Sequence, residues 1–209
     1  APLPFDNACA RDDTVGSCAV AGSNGNYTPA ADGKFFYAGS HMQTHAARYM
    51  ALGSLNNAGL ADAVLGTLGM TSYAASFRYS QPQLAGGINT SANVYTAFLR
   101  RLLRQDLVAG SQLNAHARCT NPLTCASAIE TPFPTTESPN YSIGHWVEDT
   151  LVADGAYSSA GAFGFYPWIE PTKAYYGVLV RAVLIGKPAM DSVACGRKLR
   201  LAWATGVAS

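Results

Sequence analysis

Charge is scarce in this chain. Asp, Glu, Lys and Arg make up 13% of its 209 residues, and the formal net charge is +1. A nucleic-acid binder displaces counterions with clustered Lys and Arg, so this composition excludes that class. No apolar run approaches the roughly 20 residues that cross a bilayer. No charged n-region leads into an apolar h-region, so neither a membrane span nor a signal peptide is expected. Several catalytic signatures are missing as well. There is no Gly-x-Ser-x-Gly elbow to mark a nucleophilic serine. Gly86-Gly87 lacks the lysine and helix pattern of a phosphate loop. The cysteines lack the tight Cys-x-x-Cys spacing of a tetrahedral zinc site.

Nearly half the residues, 48%, are hydrophobic. A chain of this size buries a real core, and one domain is the default. The five cysteines are Cys9, Cys18, Cys119, Cys125 and Cys195. Cys9 with Cys18, and Cys119 with Cys125, each could close a short loop as a disulfide in an oxidising compartment, which leaves Cys195 over. The sequons Asn26-Tyr27-Thr28, Asn89-Thr90-Ser91 and Asn140-Tyr141-Ser142 fit a secreted glycoprotein but also arise by chance. The expected location is secreted or periplasmic. The start, Ala1-Pro2-Leu3-Pro4, reads as a processed or engineered end.

Residues 1–34 read as loop, with a turn at Asn24-Gly25-Asn26. A helix is expected from Ser40, its N-cap, to about Leu55, with Ala46, Ala47, Met50 and Ala51 on the apolar side. A second spans Leu60 to Leu68, ended by Gly69. Residues 71–90 read as loop. The clearest helix follows, capped by Thr90 or Ser91, with Val94, Phe98 and Leu102 on one face and Arg100, Arg101 and Arg104 on a solvated one. From Ser111 to Asn140 a short helix gives way to loop, broken by Pro122, Pro132, Pro134 and Pro139. Tyr141–Glu148, Ala162–Glu170 and Ala174–Leu184 then read as three strands in consecutive antiparallel pairing, with a helix from Met190 to Ala204. Helices first and strands last give an α+β architecture.

Several clusters invite chemistry. His41 and His45 have the i, i+4 spacing of a two-histidine metal site, but Met42 stands where its glutamate would and no third ligand is evident. His145, Glu148 and Asp149 suggest a triad with one of many serines, yet strand alternation puts His145 and Glu148 on opposite faces. No histidine is tied to a cysteine as a catalytic pair would require. Tyr37 precedes Ala-Gly-Ser at an expected helix entry and is either a core aromatic or an acid–base group. A phenol titrates near 10, so it acts as a base near neutral pH only beside positive charge. The richest stretch is Ser158-Ser159-Ala160-Gly161-Ala162 running into an aromatic strand. Small residues admit a ligand close to the backbone, and a free strand edge offers N–H groups to it.

Four segments, in order, resemble the serine β-lactamase-like, penicillin-recognising hydrolases, which include class C β-lactamases, DD-peptidases and related esterases. They are Phe36-Tyr37-Ala38-Gly39, Gln81-Pro82-Gln83-Leu84-Ala85-Gly86-Gly87, Tyr141-Ser142-Ile143-Gly144-His145-Trp146, and Gly161-Ala162-Phe163-Gly164-Phe165-Tyr166-Pro167-Trp168-Ile169-Glu170. The resemblance covers the chain from about residue 30 onward, as the C-terminal part of the family's domain. It implies a helical lobe plus an antiparallel sheet flanked by helices, completed by a missing N-terminal segment or chain. On this view 1–209 is the C-terminal chain of one domain: 1–34 a disulfide-stapled loop region, 35–140 mostly helical, and 141–209 strands and a C-terminal helix.

The implied mechanism needs no cofactor or metal. A serine of a Ser-x-x-Lys helix attacks a carbonyl and forms an acyl-enzyme. Tyr37 matches the tyrosine that shuttles protons to and from that serine. Ser159-Ala160-Gly161 falls at the third motif, and Ala162 would lend its backbone N–H to the oxyanion hole. With Gly39, Ser159, Ala160 and Gly161 would line the substrate. Two departures stand out. Gly39 occupies the place of the second motif's asparagine, and Ser159 that of the third motif's lysine or histidine. They favour an esterase or specialised amidase over a true β-lactamase. None of the lysines, Lys34, Lys173, Lys187 and Lys198, follows a serine by three; Ala31, Glu170, Leu184 and Cys195 stand there instead. The nucleophile is therefore expected on a separate N-terminal chain left by processing, with Cys195 as a candidate disulfide link. The substrate would be a small-molecule or polymer ester or amide. The alternative is a β-lactamase-like binding or scaffolding module that lost its nucleophile.

Overall fold

The structure is a computed structural model, and it describes residues 9–11, 13–150 and 153–207. The chain divides into two compact units. The first comprises the chain up to Asp32 together with Tyr37–Tyr95, the second Gly33–Phe36 together with the chain from Thr96. Helix α4 (Ala92–Leu103) contains the point of division.

The first unit holds a helix in a segment expected to be loop. In α1 (Val15–Val20) the Thr14 hydroxyl accepts from the Ser17 N–H at 3.1 Å, and Ser17 Oγ accepts from the Thr14 N–H at 2.9 Å. This reciprocal cap satisfies orphan donors that so short a helix could not otherwise afford to lose. The Cys9–Cys18 disulfide clips the helix, as its spacing suggested. Helix α2 (Ser40–Tyr49) starts one residue after its N-cap, Gly39, rather than being capped by Ser40. It stops well before Leu55, because Ala51 takes φ 56° and the Leu52 N–H turns back to the Ala46 carbonyl at 3.2 Å. Met50, placed on the apolar side by periodicity, is exposed. Helix α3 (Asn57–Thr67) is capped by Asn56 Oδ1, which accepts from the Gly59 N–H at 3.0 Å. The stretch 71–90 is not simply loop. It contains the antiparallel hairpin β2 (Phe77–Tyr79) and β3 (Ile88–Thr90). Val15, Ala46, Leu60, Ala61 and Tyr79 form this unit's core. Buried Gln43 fastens its loops, donating to the Val15 and Pro82 carbonyls at 3.0 and 2.8 Å and accepting from the Leu84 N–H at 2.9 Å.

In the second unit β1 (Phe35–Phe36) pairs in parallel with β4 (Ala128–Glu130), a strand inside the region expected to be loop. The short helix expected from Ser111 onward lies before that point: α5 (Val108–Ser111) ends where it was expected to begin. Cys119–Cys125 closes the other expected disulfide, and Cys195 is free and exposed. The main sheet is five-stranded and antiparallel in chain order: β5 (Asn140–Ser142), β6 (His145–Val147), β7 (Tyr157–Ser158), β8 (Tyr166–Ile169) and β9 (Tyr176–Leu179). The consecutive pairing is as expected. The first expected strand is instead two, folded at Gly144, whose φ of 76° ends the run. All four residues of β8 are buried. Helix α6 (Pro188–Thr205) packs on β8 and β9.

Aromatics fill the space between α6 and the sheet: Phe133, Trp146, Tyr166, Trp168 and Val193 form the core. Gly196 is required there, since a Cβ would lie 2.4 Å from the Tyr166 ring. Beside this core lies a buried ion cluster. Glu148, wholly buried, accepts from Arg197 Nε at 2.9 Å, from Arg200 Nη2 at 3.1 Å and from the Tyr166 hydroxyl. Arg200 Nε and Nη2 also donate to Asp154 at 2.5 and 2.9 Å, and Arg197 pairs with Glu137. Burial works to raise the Asp154 carboxyl, but the Arg200 hydrogen bond and charge outweigh it and hold it below its ordinary value. Removing one member strands a charge in a dry interior. Glu148→Ala should therefore lower unfolding free energy by about 3–5 kcal/mol, read by urea denaturation. A loss under about 1 kcal/mol would mean that Arg200 finds other partners.

Candidate functional site

The small residues expected to line the site lie on one hairpin. Ser159, Ala160, Gly161 and Ala162 continue β7 and turn at 161–164 into β8. The turn, not the strand, carries Ala162. Strand β7 is an interior strand, paired with β6 through Trp146↔Ser158 and with β8 through Ser158↔Trp168. The free edge expected along it is present only past Ser158, where β6 pairing has ended.

Backbone bonds decide what this tip can offer. The Ser159 N–H donates to the Pro167 carbonyl at 3.1 Å, and the Gly161 N–H to the Phe165 carbonyl at 2.8 Å. Pro167 has no N–H to return, so the Ser159 carbonyl loses its ladder donor from that side. The Gly164 N–H donates to the Gly161 carbonyl at 2.9 Å. Gly164 has φ 93°, which a side chain would strain. Between these, the N–H of exposed Ala162 has no acceptor among the described residues. The N–H groups of Ala160 and Phe163 likewise have no acceptor among the described residues, so Ala162 is one of three unspent donors at this tip, and an unspent backbone N–H can bind an anionic oxygen.

Tyr37 and Gly39 lie in the first unit, on the approach to α2, with Gly39 buried as its N-cap. Tyr37 is 40% exposed. Burial pushes its phenol above the ordinary 10. The phenol by itself is thus a neutral donor at pH 7, not a base. His41, a turn later, is lowered by burial.

The suspected triad is spread over separate partners. His145 accepts from the Asn114 N–H at Nε2 (3.2 Å), while Nδ1 faces the Ile143 carbonyl at 3.2 Å. Burial holds its pKa below the ordinary value. Glu148 belongs to the ion cluster, and Asp149 accepts from the Asn140 N–H and side-chain amide at 3.0 and 2.6 Å. Each would have to leave its partners to assemble a relay. For His41 and His45 no metal grouping forms among the described residues; the grouping present there, Cys9, Asp13 and Cys18, has its cysteines joined to each other.

A cavity of about 360 Å³ lies elsewhere in the second unit, lined by Asp154, Glu170, Tyr175, Arg197, Lys198 and Arg200 among others. None of Ser159, Ala160, Gly161 and Ala162 lines it, and its buried charges already serve the ion cluster.

The chain was compared with known proteins. No family model matches it, and no curated protein does. Among solved structures, the crystal structure of a "putative beta-lactamase" from Bacteroides dorei superposes with a TM-score of 0.58 at 20% sequence identity, covering 94% of this chain and 68% of that one. The fold is β-lactamase-like. The likeness extends through nearly the whole chain, so both units belong to it. At this identity the likeness carries the fold and not the activity.

Sequence reasoning missed the ion cluster and the residues that hold the hairpin tip. Arg197 and Arg200 sit at i, i+3 beside Gly196, a spacing that puts two guanidiniums on one helix face next to a close approach. Nothing marked Glu148 as their buried partner. Selective ¹³C labelling of tyrosine ring carbons, assigned by comparison with Tyr37→Phe, should show the Tyr37 phenolate appearing only above pH 10. A transition below 10 would mean that a cation of this chain reaches the ring.

Proposed function

We propose that this chain is the C-terminal chain of a secreted serine hydrolase, cleaving an ester or amide through an acyl-enzyme. The nucleophilic Ser-x-x-Lys is borne by a partner polypeptide. The observation that carries this reading is the unspent Ala162 N–H on a turn of the β-lactamase-like fold. The partner's serine oxygen attacks the substrate carbonyl and gives up its proton to the acid–base group, and the carbonyl oxygen becomes an anion held by Ala162. When the tetrahedral intermediate collapses, the leaving group takes that proton and the acyl group stays on serine. Water then releases it by the reverse proton path.

Tyr37 is assigned the proton transfers. Its raised pKa explains why a partner is needed: a phenol becomes a base only beside a cation, and the lysine of Ser-x-x-Lys would supply one. Gly39, Ser159, Ala160 and Gly161 are assigned to substrate contact; the small residues Ser159, Ala160 and Gly161 leave the backbone accessible, whereas Gly39 is buried. No cofactor takes part. Cys195, exposed on α6, is the assigned covalent tether. The two disulfides suit an oxidising compartment, and no described helix is long and apolar enough to cross a membrane.

One observation favours a second reading. No lysine here follows a serine by three residues, and Tyr37 alone is protonated at pH 7. A chain working by itself would then be a binding or scaffolding module. Labelling with a fluorophosphonate, followed by mass spectrometry of each polypeptide, separates the two. The hydrolase reading requires a covalent adduct on a co-purifying chain that contains Ser-x-x-Lys, and at least about a 100-fold loss of turnover in Tyr37→Phe with its circular dichroism unchanged. A lone folded chain that takes no label would establish the module instead.

A further inference from the structure

The hairpin tip is held from behind by residues that no sequence motif marked. The Val183 N–H donates to the Phe163 carbonyl at 3.0 Å. Buried Ser192, on α6, donates from Oγ to the Gly164 carbonyl at 2.8 Å. Ser192 Oγ in turn accepts from Arg181 Nη1 at 3.3 Å. A serine inside a helix commonly bonds back to its own helix's carbonyls. Here its hydroxyl reaches across to the turn.

These bonds join successive peptide groups. The Phe163–Gly164 peptide accepts from Val183 at its carbonyl and donates from its N–H to the Gly161 carbonyl. That carbonyl belongs to the Gly161–Ala162 peptide, whose N–H is unspent. The chain of donors thus runs Val183 N–H, Gly164 N–H, Ala162 N–H, each peptide polarising the next. Arg181 and Ser192 add a second line that pins the following carbonyl. A Cβ on Gly164 would lie 3.1 Å from Ser192 Oγ, 3.2 Å from Arg181 Cβ and 3.2 Å from the Pro188 carbonyl oxygen, so the turn is enclosed on that side.

We propose that Ser192, Arg181 and the Val183 backbone are positioning residues for the anion cradle: they fix the Gly161–Ala162 peptide plane and strengthen its N–H as a donor. The proposal rests on the hydrolase assignment for its consequence in turnover, but the clamp itself does not. None of the three touches the substrate. Their loss should therefore act on the transition state, where charge develops on the oxygen, and not on ground-state binding.

The test uses the purified material with whatever polypeptide accompanies it, with p-nitrophenyl acetate as the probe substrate. Ser192→Ala removes the hydroxyl, and Val183→Pro removes the N–H at a second point. Deleting an oxyanion donor outright costs about 100- to 1,000-fold in kcat. Loosening one should lower kcat by about 10-fold with KM within about twofold. Amide hydrogen exchange at Gly161 and Gly164, the bonded donors of the tip, should quicken at least about 10-fold in both variants, while the amides of β8 and the second half of α6 keep their protection. Unchanged exchange at the turn would overturn the clamp, whatever the activity. Quickened exchange with kcat unchanged would overturn its role in positioning the donor. If the wild-type material neither turns over the ester nor takes a fluorophosphonate, the hydrolase assignment and the proposed catalytic role fall together, and exchange alone decides whether the clamp exists.

Discussion

The second unit depends on one buried carboxylate. Glu148 lies just past β6 with no exposure, and two guanidiniums of α6 and the Tyr166 hydroxyl of β8 converge on it. Taking those charges out of water costs more than a single ion pair returns, so the cluster is stable only because nearly every donor has an acceptor. Tyr166 contributes a proton and not a charge: burial pushes its phenol upward, the adjacent Glu148 carboxylate pushes the same way, and Arg200 offsets only part of this. The ring stays neutral and donates to Glu148, while its oxygen accepts from Arg200 at 2.8 Å. Three carboxylates, two guanidiniums and one phenol thus tie helix, sheet and two loops to one point.

That point determines where α6 can lie. Arg197 and Arg200 fasten the helix beside the end of β6, and Ser192, nearer its N-terminus, reaches the turn between β7 and β8. Gly196, midway, lets the Tyr166 ring sit against the helix backbone. A helix held at two places with a close approach between them cannot slide along the sheet without breaking buried polar contacts. The turn bearing Ala162 inherits this rigidity, and a donor that must be in place before charge develops gains from being held by the scaffold.

Much of the helical structure was legible because it rests on local signals. The Asn-Gly-Asn turn, the Asn57–Thr67 and Ala92–Leu103 helices and the C-terminal helix follow from turn chemistry, periodicity and breakers. The α1 helix was hidden among Asp, Thr, Gly and Ser, residues that usually read as loop, because its stability comes from a reciprocal cap and a disulfide. The two- and three-residue strands β1, β4 and β7 are too short for any alternation to show, and non-local pairing makes them strands at all. Of the candidate site, the small-residue segment was legible and its geometry was not. No pattern shows that β7 is interior, that Pro167 withholds a donor, or that a helix serine thirty residues downstream clamps the turn. His145, Glu148 and Asp149 show the converse: neighbours in sequence that look like one constellation are drawn to three different partners.

In the proposed mechanism the Ala162 N–H is a prepared donor for an oxygen that becomes negative during acyl transfer. A crystal structure of the purified material after reaction with a phosphonate ester tests this most directly, because the tetrahedral phosphorus mimics the intermediate. The expected result is a phosphonyl oxygen about 2.7–3.1 Å from the Ala162 nitrogen, with the phosphorus bonded to a serine of an accompanying polypeptide. A phosphonyl oxygen held by other donors, with the Ala162 N–H turned to solvent, would contradict it.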